Sequence, residues 1–534
     1  MLKGLLFVML GLFMLGGVDC RKRPARDSKY GGTLRIGAHA GKPSIINPIL
    51  TEGTISAPLL NLVFNSMERV NKDMMYEPDL AESWEVSADK LAYTFHLRRG
   101  VRFHDGVELT ARDAVFTFNL LVDPETGSPH QRNYTAIKDC QALDRYTFRI
   151  NLKEPVATNY YLLTAAIVPE HLLKSDTGAR LKTSKFNHKP IGTGPFRFVE
   201  QTENGKVVLE ANPDYYEGRP YLDRIIASGY ETTAQCWNAF MHNEIDLIFY
   251  LSRENFEVAK RDKEFRTYVT PNNLNYVLEY NPGHPILKDK RVRQAITQSI
   301  DIDEIIRKVE GGYGVKSAGP FLPGSWANNP EVKPFEYNPA LSLKLLNESG
   351  WKLNDSGILE RAGQEFRFTM ICDTLVKDTQ LIARLVYQYL YRIGVRVDII
   401  TMDYRRKDED AQKGLVNDAG VFLLAFGGFI EPLDAANLWH SQKMNKEARI
   451  WQYNNPEVSR LFDLGINTSD INQQKKIYRD IHKIIYKEQP ATFLYYPPIL
   501  SAVNARIQNT DAIFNLPEMP FYYMKDWSIK PSNN

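Results

Sequence analysis

Three closely spaced segments carry most of the architectural information in the chain: LAESWEVS at residues 80–87, YTFHLRRGVRFHDG at residues 93–106 and LTARDAV at residues 109–115. The second segment alternates apolar and polar residues as far as Leu97, which predicts a strand with one buried face. Gly100 ends that strand. Thr110 followed by Asp113 predicts a helix N-terminus, because each residue can hydrogen-bond the backbone of the other. The segments therefore predict a strand–turn–helix unit, and this chemistry explains them without any ligand.

Shorter strings follow these segments in a fixed order: GTGPF at residues 192–196, NPDY at 212–215, NEID at 243–246 and RVRQAI at 291–296. Each short string is a weak signal, whereas the ordered set is specific. Together with the first three segments, the set resembles the dipeptide- and oligopeptide-binding family of ABC-importer solute-binding proteins (family 5). The resemblance extends from Gly31 to about residue 500.

The composition is that of an ordinary globular protein. Apolar residues make up 43% of the 534 residues and charged residues 24%, which excludes a disordered or fibrous chain. At about 150 residues per domain, the length allows three or four domains. Lys and Arg total 66 against 64 Asp and Glu. The resulting net charge of +2 gives no general reason to expect nucleic acid as a partner.

The first 20 residues predict an export signal. Lys3 is followed by residues that are apolar or glycine from Leu5 to Val18, a run that matches a secretory segment and is too short to span a bilayer as a mature helix. Cys20 comes directly after this run and Asp19. This order resembles a bacterial lipoprotein signal and implies that Cys20 is acylated, with residues 21–30 as a tether. The alternative is simple secretion with an incidental cysteine.

Patterns of the common catalytic and metal sites do not occur in the sequence. There is no G-x-S-x-G, H-E-x-x-H or G-x-x-x-x-G-K-[ST] string. The glycines at 192 and 194 are followed by Pro195 and strand-like residues, which argues against a phosphate loop. Cys140, Cys236 and Cys372 are far apart and form no CxxC pair, so they predict unpaired thiols. We expect a protein that is not an enzyme and has no metal and no cofactor.

The C-terminal half has an alternating strand and helix pattern. Thr379 to Arg392 predicts a helix that ends before Gly394, and Val421 to Phe426 predicts an apolar strand. Apolar strands between helices predict a sheet covered on both faces. This agrees with the α/β, two-lobed periplasmic-binding-protein fold (type II, in an enlarged three-domain form, with a ligand cleft between the lobes) that the family resemblance implies.

The resemblance also implies a domain organisation. The expected domains are a signal peptide (1–20), a tether (21–30), lobe 1 (31–68, 191–280 and 498–534), an accessory domain of lobe 1 (69–190) and lobe 2 (281–497). The chain would then cross between the lobes near Asn281 and again near Tyr496 to Pro498. Prolines beside both points would limit the path of a hinge.

Two segments are implied as cleft walls. The first precedes the first helix, where the family's first-lobe backbone contacts lie, and the second ends an apolar strand, which agrees with ligand binding at strand carboxyl ends. The alternative is that Gly427-Gly428 merely turns the chain. The candidate ligand-binding residues are Glu52, Gly53, Thr54, Phe426, Gly427, Gly428, Phe429 and Glu431.

One family position differs in this sequence. Peptide-binding relatives hold the α-ammonium of the peptide with an Asp four residues before the proline of a Glu/Asp-Pro pair, and counting back from Pro432 gives Gly428. The resemblance therefore implies a ligand without a free α-ammonium at this point: a blocked or internal peptide segment, or a non-peptide solute. Alternatively, Glu431 or Asp434 supplies the carboxylate.

The family resemblance implies an extracytoplasmic protein, periplasmic or at the cell surface, that delivers a peptide or peptide-like solute to an ABC importer. Its expected partners are the solute, the permease subunits and, if Cys20 is acylated, the membrane; we expect a monomer and no nucleic acid. A binding protein for a nickel complex or a sugar, or a signal receptor, remains an alternative. An exported enzyme is disfavoured, because no nucleophile–base pair is visible.

Overall fold

The computed structural model describes residues 29–39, 46–51, 56–154, 160–403, 419–427, 435–441, 453–468, 470–514, 516 and 521–530. Several predicted features lie outside these residues: Cys20, Glu52, Gly53, Thr54, Gly428, Phe429 and Glu431.

Strands and helices are numbered in chain order over the described residues. The strands are β1 (Thr33–His39), β2 (Glu68–Val70), β3 (Tyr76–Pro78), β4 (Ala81–Val86), β5 (Ala92–Leu97), β6 (Ile137–Ala142), β7 (Thr147–Leu152), β8 (Phe196–Gln201), β9 (Val207–Ala211), β10 (Arg224–Tyr230), β11 (Leu247–Ile248), β12 (Phe265–Pro271), β13 (Leu274–Tyr280), β14 (Val315–Lys316), β15 (Lys352–Leu353), β16 (Leu359–Arg361), β17 (Gln364–Glu365), β18 (Arg367–Asp373), β19 (Arg396–Met402), β20 (Val421–Gly427), β21 (Ala491–Tyr496), β22 (Pro498–Asn504), β23 (Ile507–Gln508) and β24 (Ser528–Ile529). The helices are α1 (Ser56–Val63), α2 (Ala111–Val122), α3 (Tyr160–Thr164), α4 (Glu170–Leu173), α5 (Thr233–Met241), α6 (Arg253–Arg261), α7 (Lys290–Gln298), α8 (Ile302–Glu310), α9 (Pro339–Glu348), α10 (Thr379–Arg392), α11 (Ala436–Trp439), α12 (Pro456–Asn467), α13 (Ile471–Glu488) and α14 (Asp511–Phe514).

The first large sheet has the strand order β12-β22-β11-β1-β10-β9-β8. Strand β1 runs parallel to β10 and β11, and the other neighbours are antiparallel. Its central strand buries Leu34 and Ile36 in the core. The sheet therefore unites residues from three distant parts of the chain, near positions 35, 200–270 and 500.

The four-stranded sheet of order β4-β5-β7-β6, with α2 packed on it, is the unit that the opening motifs predict. Alternate residues of β5 and β7 are buried, and the rings of Phe95 and Phe148 stack with centroids 4.8 Å apart. The backbone N–H of Thr110 donates to the Asp113 carboxylate at 2.9 Å. The predicted alternation and the predicted helix start are both confirmed.

The second large sheet has the order β14-β21-β13-β20-β18-β19. Strand β18 is parallel to β19 and β20, whereas β13 is antiparallel to β20 and β21. Helix α10 connects β18 to β19 and spans the predicted residues, and Gly394 follows it with a left-handed φ of 84°. The mixed α/β architecture implied by the sequence is therefore present.

The chain passes between the two large sheets at two adjacent points. The first passage lies between Pro271, the end of β12, and Leu274, the start of β13; the second is at Pro497. The N–H of Asn272 donates to the Pro497 carbonyl at 2.8 Å, so the two passages are hydrogen-bonded to each other. The expected crossing near Asn281, and the lobe 1 boundary at residue 280, are wrong because β13 pairs within the second sheet.

A buried carboxylate ties the amino ends of the first sheet to the C-terminal segment. Asp246 is fully buried and receives the Arg35 guanidinium at 2.9 Å and the Arg506 guanidinium at 2.6 Å. The backbone N–H of Arg35 also donates to it at 2.9 Å. Two partly exposed cations therefore compensate the one desolvated charge of Asp246. The acidic residue of the NEID string thus has a structural role.

Two further observations concern cysteines and membrane spans. Cys140, Cys236 and Cys372 are free thiols, as predicted. Among the residues that the structure describes, no helix combines the length and the apolar character needed to cross a bilayer.

Candidate ligand cleft between the two large sheets

The two passages bring the carboxyl ends of parallel strands from both sheets to one place. In the first sheet, β11 is antiparallel to β22, which starts at the passage, so the carboxyl ends of β11 and of its parallel neighbour β1 face the passage. In the second sheet, Leu274 pairs with Gly427, so β20 and its parallel neighbour β18 also end there. Carboxyl ends of parallel strands are where α/β folds bind ligands. The space between these edges is therefore the candidate cleft.

At the end of β20, the side chain of Phe426 is in the core. It is 7% exposed, and its ring lies edge-on to Trp439 with centroids 6.3 Å apart. Gly427 is exposed at the strand end. The ladder between β18 and β20 ends at the pair Cys372 and Leu423, whereas β20 continues to Gly427. What this segment offers to the cleft is therefore its main chain and the Gly427 surface.

On the first-sheet side, side chains from the segment 128–187 hold the residues that lead to Glu52. The Ile49 carbonyl accepts a hydrogen bond from the Ser128 hydroxyl at 2.6 Å. The Thr51 carbonyl accepts one from Nε2 of His130 at 3.1 Å. Further upstream, the Asn47 amide donates to the Asn187 side chain at 2.8 Å. Residues 47–51 are thus fixed at three points.

Helix α1, which follows Thr54, is held at its other end by the GTGPF string. The Gly194 N–H donates to the Val63 carbonyl at 2.8 Å. A Cβ atom at Gly192 would lie 2.0 Å from the Val63 carbonyl oxygen, and one at Gly194 would lie 2.5 Å from that of Leu62. Both positions therefore require glycine. Strand β8 begins at Phe196, in agreement with the prediction that no phosphate loop is present.

His104, from the second opening motif, bonds to the same glycine loop. Its Nδ1 accepts from the Gly192 N–H at 3.2 Å, and its Nε2 donates to the Gly194 carbonyl at 3.0 Å. The Nδ1 contact requires a neutral imidazole. Burial accordingly lowers the pKa of His104 from 6.5 to about 4. These two contacts give His104 a structural role in holding the glycine loop.

A buried polar network completes the support of α1. The Asn65 amide lies 3.1 Å from the Asp79 carboxylate and 3.2 Å from the Tyr215 hydroxyl, and it accepts from the Thr193 hydroxyl at 3.1 Å. The Tyr216 hydroxyl also donates to Asp79. Asn65, Asp79 and Thr193 are at most 4% exposed. Burial raises the pKa of the Asp79 carboxyl, while the Arg69 guanidinium, 3.9 Å away, acts in the opposite direction.

The motifs therefore converge on the flanks of one candidate segment, residues 52–54. Sequence reasoning proposed that segment as a cleft wall but missed the residues that hold its neighbours in place: Asn65, Asp79, Ser128, His130 and Asn187. Asp79 directly precedes the first motif, so its position offered a signal. Asn187 and His130 offered none, because their partners lie 140 and 79 residues away.

Over the described ranges, no group of three or more His, Cys, Asp or Glu side chains could hold a metal ion.

Comparison with known proteins gives a consistent result. Residues 75–445 match the family model described as bacterial extracellular solute-binding proteins, family 5 Middle. The oligopeptide-binding protein AppA of Bacillus subtilis (strain 168) is 31% identical over 519 residues, covering 95% of this chain and 93% of AppA.

Two solved structures are similar to this chain in fold as well as in sequence. The structure of Bacillus subtilis AppA in complex with a nonapeptide matches 94% of this chain and 100% of that one, with 28% identity and a TM-score of 0.65. NikZ of Campylobacter jejuni in complex with Ni(L-His) matches 93% of this chain and 99% of that one, with 26% identity and a TM-score of 0.66.

We expect a loss of stability below neutral pH from two buried histidines. His482 is fully buried, its Nδ1 accepts the Asn329 N–H at 3.1 Å, and burial lowers its pKa to about 4, as for His104. Because each pKa is lower in the folded than in the unfolded state, the stability contribution is complete above pH 6.5 and is lost as the pH falls toward 4. The expected loss is about 3 kcal/mol per histidine.

Urea unfolding of the wild type and of His104→Gln at several pH values between 7 and 4 tests this expectation. The free energy of unfolding should fall less steeply with acidification in His104→Gln, because glutamine does not titrate. The exposed His188 provides the control variant, His188→Gln, which should keep the wild-type slope. Equal slopes for wild type and His104→Gln would contradict the assignment.

Proposed function

The chain belongs to the bacterial extracellular solute-binding proteins of family 5, and we propose that it binds a peptide or peptide-like solute outside the cytoplasm and delivers it to an ABC importer. The observation that carries this proposal is the similarity to AppA along nearly the whole chain. The cleft at the strand ends of both sheets supports it. Like its family, the chain acts by binding a solute, and we expect no catalysis.

We propose that the two lobes close over the solute when it binds in the cleft. The proposed lobe 1 comprises residues 31–68, 191–271 and 498–534, with 69–190 as its accessory domain, and lobe 2 comprises 274–496. The adjacent passages at Asn272 and Pro497 form the hinge. Away from the hinge, the Lys90 ammonium donates to the Ile466 carbonyl near the end of α12, a contact between the accessory domain and lobe 2. A ligand that touches both lobes favours the closed population.

Recognition would use mainly the ligand backbone. The proposed contacts are residues 52–54 on one wall and Gly427 to Phe429, with Glu431, on the other. The exposed end of β20 supports this mode, since main-chain hydrogen bonds from a strand end pair with an extended peptide and tolerate many side chains. Phe426 would contribute through its backbone, because its ring is in the core.

The ligand would not depend on a free α-ammonium, because Gly428 stands where peptide-binding relatives have a carboxylate. A buried ammonium without a partner costs about 3–5 kcal/mol, which corresponds to more than two decades of affinity at about 1.4 kcal/mol per decade. Titration calorimetry with free and N-acetylated forms of the same short peptides tests both levels of the proposal. We expect both forms to bind with similar affinity.

The two levels fail in different ways. Tight binding of the free form alone would contradict the ammonium proposal and would indicate a substitute carboxylate such as Glu431. Absence of binding by either form would contradict peptide transport. Binding of a nickel–histidine complex instead would support the second candidate function, a non-peptide solute carrier, which the similarity to NikZ favours.

The protein would be held at the membrane by acylation of Cys20, with residues 21–30 as a tether and the folded part as a monomer. The position of Cys20 directly behind an apolar signal supports this. Changing Cys20 to Ser should release the protein from the membrane fraction, whereas Cys140→Ser serves as the control and should leave fractionation unchanged. A Cys20→Ser protein that still fractionates with membranes would contradict acylation at this residue.

A further inference from the structure

A groove of about 520 Å³ lies on the accessory domain, among residues that take no part in the cleft. Leu172 supplies its exposed apolar surface, whereas Phe186, which also lines it, is a core residue. Besides the carboxylate of Asp176, three cations line it: Arg180, Lys185 and Lys189. All three are exposed, so their charged groups are accessible at the rim.

The backbone that carries these cations is well supported. Short 3-10 turns cover Gly178–Thr183 and Lys185–His188. The Ser184 hydroxyl accepts from the Phe186 N–H at 3.2 Å and donates to the Asp176 carboxylate at 2.5 Å. The Asn187 amide, which also bonds to Asn47, donates to the Leu181 carbonyl at 2.8 Å. The cations therefore project from a fixed frame.

The charge of this segment is not compensated locally. Residues 174–189 contain five Lys and Arg residues, and Asp176 is the only acidic residue among them. Within the described part of the chain, none of the five cations forms an ion pair, although many other surface cations do, such as Arg112 with Glu170 at 2.8 Å. In a chain whose overall charge is only +2, such a local excess points to an anionic partner.

We propose that this basic groove docks on the phosphate groups of an anionic phospholipid surface. The proposal rests on the proposed function only for the location of the protein beside a membrane. Charge complementarity carries it, and the tether adds a second cationic segment on the same chain, with Arg21, Lys22, Arg23, Arg26 and Lys29 within nine residues. Basic residues close to an anionic bilayer each contribute roughly a fivefold gain in partitioning.

The groove would orient the protein rather than anchor it. An acyl chain or a tether alone leaves the folded part free to rotate, whereas a fixed basic surface selects one face toward the lipid. The exposed apolar side chain of Leu172 fits a headgroup and its glycerol region better than it fits free inorganic phosphate.

Vesicle co-sedimentation of the unacylated Cys20→Ser chain tests this proposal. Binding to vesicles of phosphatidylcholine with phosphatidylglycerol is compared with binding to phosphatidylcholine alone, at low and high salt. The groove variant combines Arg180→Gln, Lys185→Gln and Lys189→Gln. The matched control combines Lys206→Gln, Lys263→Gln and Lys344→Gln, which are exposed cations without ion pairs in the described residues.

The wild type should bind the anionic vesicles in a salt-sensitive way, and the groove variant should lose roughly 100-fold in partitioning. The control should bind like the wild type. Equal binding by groove variant and wild type would overturn the proposal, as would an equal loss in the control. Saturable binding of inorganic phosphate without vesicle binding would also overturn it. The same variants are also titrated with peptide. Wild-type peptide affinity in the groove variant would show that it is folded, and it would test the proposed function independently of vesicle binding.

Discussion

The side chain of Asn65 hydrogen-bonds a buried carboxylate, a tyrosine hydroxyl and a threonine hydroxyl at once, and this network joins three distant parts of the chain just behind α1. Thr193 and Tyr215 come from two different strings of the sequence and Asp79 directly precedes a third, so the network brings these segments together. A buried polar group without a partner costs free energy of folding, so other arrangements of these segments are disfavoured. Beside it, two glycines allow the loop to touch the end of α1, where any Cβ would collide with a carbonyl oxygen. The helix that follows residues 52–54 is therefore positioned by residues remote from the cleft.

Several other residues in or beside the sequence motifs also make contacts within the protein. Asp79, His104 and Gly194 bond within the protein, and Asp246 joins β1 to the C-terminal segment. A binding protein that accepts varied ligands must vary its cleft and keep its frame. The motifs that carry the family resemblance thus contain structural residues, whereas Gly427 and its neighbours stay the proposed determinants of which solute binds.

Local patterns in the sequence predicted the elements well. Alternation fixed the strand at β5, and helical spacing with Gly394 predicted α10, because these signals depend on neighbours along the chain. The first passage between the sheets was misplaced, because β13 reads as a strand of either sheet and only its pairing with β20 decides. The residues that hold 47–51 could not be predicted for the same reason, because Asn187 contacts Asn47 only in the folded chain.

We expect the buried network around Asn65 to support the candidate ligand site from a distance, and the affinity of an Asn65→Ala variant for a short peptide measures that support. Asp246→Asn is the reference, since it weakens the same sheet at the strand ends opposite the cleft. Titration calorimetry below the unfolding temperature of both variants should give about tenfold weaker binding for Asn65→Ala, equivalent to about 1.4 kcal/mol, with wild-type affinity for Asp246→Asn. Wild-type affinity in Asn65→Ala would contradict the account.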